Sequence, residues 1–327
     1  MPKIDTGYVN LTSPQELERA HQDWIASVKS RNKSAFSHFL QKRLEGTLHA
    51  KSATERKKVA ILGSGISALN LTLDQLFAID KCNAIIAFNK SMAFANIAGV
   101  VPTDFVFLDG FSATAKAFLQ IGLDFCIRHQ LSLNNIVMSN GLRGRVTTSQ
   151  EAHLMSIGAT QRLRQGCSAL YSVNMEKCLA SWTYLAPKST AITYCDHTPF
   201  QQPSNRWASS YDQPLYHYRG SLTHVLNFIT IQYPDSDIYL AGVDFNTPHY
   251  FFQEELAEYA DFNSDWTTQL VTDTGLHFSA QHWEGTTMFD DSEYINHQLS
   301  LYGCRLFSLN EKSLMVKHSL ATYRDIA

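Results

Sequence analysis

The sequence predicts an α/β protein built on a doubly wound, mostly parallel sheet, with a helical extension at its N-terminus. Three observations carry the prediction. Short apolar runs alternate with amphipathic segments, the pattern of strand–helix–strand units. One run, Val59-Ala-Ile-Leu62, leads into Gly63-Ser64-Gly65 and then into an apolar-periodic stretch, the order of a buried strand, a tight turn and a helix start. Polar residues, Asn89, Asp109 and Asp244, stand where later strands end, which is where ligands of such sheets sit.

Taken in order, residues 13–47 read as one or two helices. Pro14 follows Ser13 near a helix start, and Leu17, Trp24, Ile25 and Val28 fall near one face. Phe36, Phe39, Leu40 and Leu44 continue the stripe after a polar break, and residues 48–57 read as a linker. The main domain then covers 58–327. Its strands are expected at Val59–Leu62, Ala84–Phe88, Phe105–Leu108, Asn135–Met138, near 190–195, at Ile238–Phe245 and at Arg305–Leu309. Its helices are expected at Ser67–Ile79, Ala113–Ile121, about 148–157 and 174–185, from Arg219 to Ile231, and at Ser292–Tyr302. The stretch 246–288 is polar and aromatic, without clear periodicity.

Composition narrows the function classes. A chain of 327 residues with 44% hydrophobic and 17% charged residues can bury a large core, and disorder is not expected. There is no run of eighteen apolar residues and no signal-peptide core after Met1, so a cytoplasmic protein is expected. The six cysteines are scattered without a CxxC pair, which argues against structural zinc and a disulfide framework. Residues 1–58 hold 11 Lys/Arg against 6 Asp/Glu, so the rest of this chain of net charge −3 carries −8. That basic segment is chemically able to touch anionic lipid at the inner face of a membrane, although a solvated helical surface explains it more simply. No basic stripe interleaves with aromatics, so nucleic acid is not an expected partner.

The Gly63-Ser64-Gly65 turn is the first candidate site. Its spacing, Gly63-x-Gly65-x-x-Ala68, fits the dinucleotide fingerprint of Rossmann-like sheets. Glycines permit a sharp turn and close approach, and a helix start offers N–H groups and a positive dipole end to a phosphate. A typical NAD site has an acidic residue after the second strand, but here that residue is Asn89, an amide able to read a base edge or a sugar hydroxyl. Asp109 and Asp244 are ligand contacts or loop-holding carboxylates. Asp235-Ser-Asp237, the chain's one Asp-x-Asp, lies in the turn before a strand, opposite the expected crevice, and reads as a turn rather than a metal site. Among the histidines, His249, His277 and His282 fall in the polar stretch after Asp244, and His282 has Glu284 close by to orient the ring.

These residues together resemble those of the bacterial lipooligosaccharide sialyltransferases, glycosyltransferase family 42, over roughly residues 58–316. The family's Gly-Asn-Gly-Pro-Ser turn is similar to Gly63-Ser64-Gly65-Ile66-Ser67, and its asparagine after the second strand matches Asn89. Its second asparagine falls on Asp109. Its Arg-x-Thr-Ser-Gly helix start resembles Arg219-Gly220-Ser221, and its Ile-Tyr-Leu-Ser-Gly-Ile-Asp-Phe strand is close to Ile238-Tyr-Leu-Ala-Gly-Val-Asp-Phe245. Asn246 stands where the family carries a tyrosine, Tyr250 matches a second tyrosine, and two family histidines, the second catalytic, resemble His277 and His282. The C-terminal Leu306-Phe-Ser-Leu and Lys-Ser-Leu-Met315 also match.

The resemblance implies a Rossmann-like glycosyltransferase domain, a GT-A-like variant without an Asp-x-Asp metal site. The donor would be a CMP-activated sialic acid or related 2-keto sugar acid, the acceptor a glycan hydroxyl, and no cofactor or metal would be needed. His282 would be the general base, with Tyr250 and Arg219 donating to the departing phosphate. Gly63, Ser64, Gly65, Ser67, Asn89, Asp109, Ser221, Asp244 and Asn246 would line the donor site. Two other readings stay open: a magnesium-dependent pyrophosphokinase or nucleotide transferase using Asp109 and Asp244, and a non-catalytic nucleotide-binding protein. Self-association also stays open.

Overall fold

The computed structural model of the chain describes residues 34–45, 56–92, 94–95, 98–108, 133–139, 191–195, 205–252, 275–282 and 285–326. Asp109 and the helices expected at 113–121, 148–157 and 174–185 lie outside these residues, as does everything before residue 34.

Eight strands form one sheet, and every neighbouring pair is parallel. In chain order they are β1 (Lys57–Leu62), β2 (Ala84–Phe88), β3 (Asp104–Phe107), β4 (Asn135–Ser139), β5 (Ala191–Cys195), β6 (Ser236–Ala241), β7 (Arg305–Ser308) and β8 (Thr322–Tyr323). Their order across the sheet is β5-β4-β3-β2-β1-β6-β7-β8. The chain winds outward from β1 to one edge, returns, and winds from β6 to the other. The order therefore reverses between β1 and β6, where Val59 pairs with Ile238 in register. A crevice opens at the carboxyl end of such a switch point.

Strands β1, β2, β3 and β6 are apolar almost throughout because both faces are covered. Val59 and Ile61 of β1 point to one core with Ala84, Ile86, Ile238, Leu240 and Leu306. Ala60 and Leu62, one residue out of phase, join the opposite core with Ile85, Tyr239 and Phe307. Helices α3 (Ser221–Gln232) and α4 (Ser292–Leu301) supply Val225, Leu226, Ile229, Ile295 and Leu299 to the first core. Helices α1 (Ser34–Leu44) and α2 (Leu73–Asp80) supply Phe36, Phe39, Leu76 and Ile79 to the second. Each fully buried Val or Ile stabilises the fold by about 1.5–3 kcal/mol. The described part of the N-terminal extension thus belongs to the core, and Arg43 ties it to Asp80 through an ion pair. A short helix, α5 (Leu314–Lys317), precedes β8.

Two element boundaries in the main domain differ from the sequence expectation by more than two residues, and β8 and α5 were not among the expected elements. The helix expected over Ser67–Ile79 is two pieces, a 3-10 turn at Ile66–Asn70 and then α2. A capping box starts α2 afresh: Gln75 N–H donates to Thr72 Oγ1 (3.2 Å) and Thr72 N–H to Gln75 Oε1 (3.0 Å). The strand expected to run to Phe245 ends at Ala241, because Gly242 (φ +69°) and Phe245 (φ +60°) turn the chain through the left-handed region.

The Asp-x-Asp sequence lies at the amino end of β6, the end opposite the switch-point crevice. Asp235 takes a left-handed turn (φ +59°). Asp237 is 7% exposed and gathers Arg56 (2.7 Å), Arg305 (2.7 Å) and Arg324 (3.4 Å). Burial alone would raise its carboxyl pKa, but the guanidinium groups of Arg305 and Arg56 outweigh that and hold it below the usual range. Among the described residues no group of three or more His, Cys, Asp or Glu side chains is placed to hold a metal. No helix among them is long and apolar enough to cross a membrane.

Candidate functional site

A cavity of about 600 Å³ opens at the carboxyl ends of β1, β2 and β6. Its floor is two turns pressed together, Gly63-Ser64-Gly65 after β1 and Gly242-Val243-Asp244 after β6. Gly63 N–H donates to Ala241 O (2.7 Å) and Gly65 N–H to Gly242 O (2.8 Å). A Cβ on Gly63 would stand 2.3 Å from Gly242 O and 2.4 Å from Val243 Cγ2, so only glycine fits.

This geometry corrects one expectation about the turn. The amides of Gly63 and Gly65 are spent on the carbonyls of Ala241, the last residue of β6, and Gly242 just after it, and Ile66 N–H donates to His249 O (3.1 Å). The 3-10 turn that follows is not an open α-helix start. The phosphate cradle expected from free N–H groups is therefore not built at Gly63, Gly65 and Ile66. What the glycines provide is close approach between the two sheet-end turns.

The polar side chains above this floor come from separate parts of the chain. At the end of β2, Asn89 (φ +48°) donates from Nδ2 to Ser221 Oγ (2.9 Å) and accepts from Leu108 N–H at Oδ1 (2.9 Å). It thereby joins the ends of β2 and β3 to the start of α3. Beside it, Lys90 Nζ lies 3.3 Å from Tyr250 Oη and 4.8 Å from the centre of that ring. Tyr250 is placed by a bridge between its own backbone and Gly65.

Arg219 is buried at φ +55°, donates to Gln281 O (2.8 Å), and lies 5.4 Å from the ring centre of Phe278. Asp244 is buried, accepting from Asn310 Nδ2 (3.4 Å) at its carboxylate and from Leu314 N–H (3.0 Å) at its carbonyl. Three non-glycine residues in the left-handed region, Asn89, Arg219 and Phe245, line this one cavity. Strained backbone is retained where the surroundings over-determine it, and it gathers at ligand sites.

His277 closes one wall. Its N–H donates to Phe245 O (3.2 Å), and its Nδ1 accepts from Ser279 N–H (3.2 Å). Burial, reinforced by the charge of Lys90, pushes its pKa down to about 4. The ring is therefore neutral at pH 7. With Nδ1 accepting, the proton sits on Nε2, and the ring acts as a hydrogen-bond donor.

Of the residues singled out from sequence, the cavity brings together Gly63, Ser64, Gly65, Asn89, Arg219, Ser221, Asp244, Tyr250 and His277. Three others lie elsewhere. Ser67 faces a separate hollow of about 110 Å³ behind Gly242, because the 3-10 turn carries it past the floor. Asn246 is engaged with the C-terminal segment, donating to Lys312 O (2.7 Å) and accepting from Leu314 N–H (2.8 Å). His282 is exposed and does not line the cavity, and its ring lies close enough to Asp290 to help hold that carboxyl low, after the hydrogen bonds from Thr287. The cavity also holds His217, Lys90 and Phe278, which were not singled out. Lys90 carried a legible signal, since it directly follows the strand-end Asn89. His217 and Phe278 carried none, because only the packing of distant loops brings them in.

The arrangement is suited to an anionic ligand. Two cations, Lys90 and Arg219, and one carboxylate, Asp244, line the described cavity, together with the hydroxyls of Ser64, Ser221 and Tyr250. Comparison with family models, with curated proteins and with solved structures finds no match to this chain.

Proposed function

We propose that the protein is a metal-independent glycosyltransferase of the GT-A-like, Rossmann-related kind, moving sialic acid or a related 2-keto sugar acid from its CMP-activated form to a glycan hydroxyl. The observation that carries the reading is the meeting of Asn89, Ser221, Tyr250 and Arg219 at the switch point of the sheet. These are among the residues on which the sequence resemblance rests. They come from four separate segments.

In this reading the Asn89–Ser221 pair and Ser64 hold the nucleoside and ribose, and the sugar acid lies toward Phe278 at the mouth. Transfer breaks the bond between the anomeric carbon and the phosphate oxygen, and the electron pair leaves with CMP. The acceptor oxygen bonds to the opposite face, inverting the centre, and its proton goes to a general base. His282, exposed on the segment just after the cavity wall, remains the proposed base on the strength of the sequence resemblance. Its carboxylate neighbour is Asp290. His277 is poorly suited to that task, since its accepting nitrogen is used and burial lowers its basicity. It serves as a neutral donor to the ligand, while Tyr250 and Arg219 donate to the leaving phosphate.

Transfer from a panel of CMP-sugars, run in EDTA, tests the reading. Metal-independent transfer from one donor is the expected result. His282→Ala should abolish transfer while CMP still raises the melting temperature, and near-normal turnover in that variant would sink the base assignment. Stabilisation by ATP with magnesium instead of CMP would favour the nucleotide-transferase reading, with Asp244 as a metal ligand.

A further inference from the structure

We propose that Lys90 is a catalytic residue, the fixed cation that contacts the phosphate of the bound nucleotide sugar and stabilises it as it departs. The inference rests on the nucleotide-sugar reading above and adds to it the charge that a metal ion supplies in other transferases.

The placement of Lys90 is set by its neighbours. Asn89, held by Ser221 and by Leu108 N–H, fixes the end of β2 in a left-handed turn and opens the 3-10 turn Asn89–Met92. The next side chain, Lys90, reaches into the cavity until Nζ is 3.3 Å from Tyr250 Oη. An ammonium that donates to the phenol oxygen turns the phenol O–H away from itself. Lys90 and Tyr250 then present adjacent donors, one charged and one neutral. The ammonium also lies over the tyrosine ring, at 4.8 Å from its centre, which restrains a side chain that is otherwise long and mobile. Lys90 and the buried His277 line the same cavity, and the lysine's charge adds to the burial that lowers the His277 pKa. A phosphate bound there meets Lys90, Tyr250 and the Nε2–H of His277.

The charge balance of transfer gives this cation a catalytic role rather than a merely binding one. The donor phosphodiester carries one negative charge. When the carbon–oxygen bond breaks, the electron pair stays on the phosphate oxygen, and the released monoester carries a second negative charge. The acceptor's proton passes to His282, and Lys90 keeps its own protons throughout. Its attraction to the phosphate therefore grows as the bond breaks, and an interaction stronger in the transition state than in the ground state raises turnover.

The test compares the wild type with Lys90→Gln and Lys90→Arg, using CMP and cytidine as probes in thermal shift and titration. Lys90→Gln should weaken CMP by about tenfold or more and leave cytidine unchanged, since removing the charge touches only the phosphate. Turnover with the CMP-sugar should fall by about 100-fold, with the loss mainly in kcat and less in KM, and Lys90→Arg should recover much of it. Equal CMP-to-cytidine preference in the wild type and Lys90→Gln would overturn the proposal and leave Lys90 as a prop for Tyr250. If the wild type binds neither CMP nor cytidine, the nucleotide reading falls, and inorganic phosphate and pyrophosphate then decide the matter for Lys90. Stabilisation by those anions that is lost in Lys90→Gln upholds the cationic site; stabilisation unchanged by the substitution, or absent in the wild type, overturns it.

Discussion

Acidification from pH 7 to pH 5 should destabilise the protein by about 2 kcal/mol through His277 alone. In the folded state burial, aided by Lys90, holds this imidazole near pKa 4, against an ordinary value of 6.5. The unfolded chain therefore binds the proton more readily than the folded one. Stability from this group is fully present above pH 6.5, falls as the pH drops, and levels out below about 4. The whole difference, from the two pKa values, is on the order of 3 kcal/mol, and about 2 of it falls between pH 7 and pH 5. Urea unfolding at the two pH values measures it, with His277→Asn as the comparison. Asparagine keeps an acceptor for Ser279 N–H at this N-cap position and has nothing to titrate. The wild type should lose about 2 kcal/mol more than the variant over that interval. An identical pH response in both proteins would refute the reasoning, as would a histidine NMR titration placing His277 near 6.5.

Other substitutions test the frame around the site. Lys90→Met should raise the His277 pKa, since the lysine charge is one of its two depressing causes; an NMR titration unmoved by that change would contradict the placement of Lys90. Gly63→Ala forces a methyl group into the space held by Gly242 O and Val243 Cγ2, and should cost about 1–3 kcal/mol in chemical unfolding. Ser64→Ala next to it should change stability by less than about 0.5 kcal/mol while weakening ligand binding. Thr72→Ala removes the capping box of α2 and should cost about 1 kcal/mol.

Much of the sheet was legible in the sequence because strands β1, β2, β3 and β6 are buried on both faces. A run such as Ala84–Phe88 or Val59–Leu62 has no other place than a covered sheet, and each of the seven expected strands begins within two residues of its expected start, while β8 was not expected. Strand ends were less legible. Ile238–Phe245 reads as one continuous run, and only the left-handed conformations at Gly242 and Phe245 show that the strand stops early. The helix after the glycine turn was misjudged for a similar reason. Its apolar period continues through Leu71, while the backbone turns extended at Leu71 and Thr72 and the Thr72–Gln75 capping box starts a new helix.

The site divides along the same line. Sequence alone determined that strand-end turns carry Gly63-Ser64-Gly65, Asn89 and Asp244, because strand ends follow from local hydrophobic pattern and turn chemistry. Tertiary structure decided which of these meet. The pairing of β1 with β6 joins segments nearly 180 residues apart in sequence, as in Val59↔Ile238, and no local pattern specifies that partner. It also decided that the glycine amides bond to the neighbouring turn, that His277 lines the cavity while His282 faces outward, and that Lys90 meets Tyr250. Local sequence fixes which groups stand at the end of a strand. Long-range packing fixes which hydrogen bonds they have already made, and hence what they can still offer a ligand.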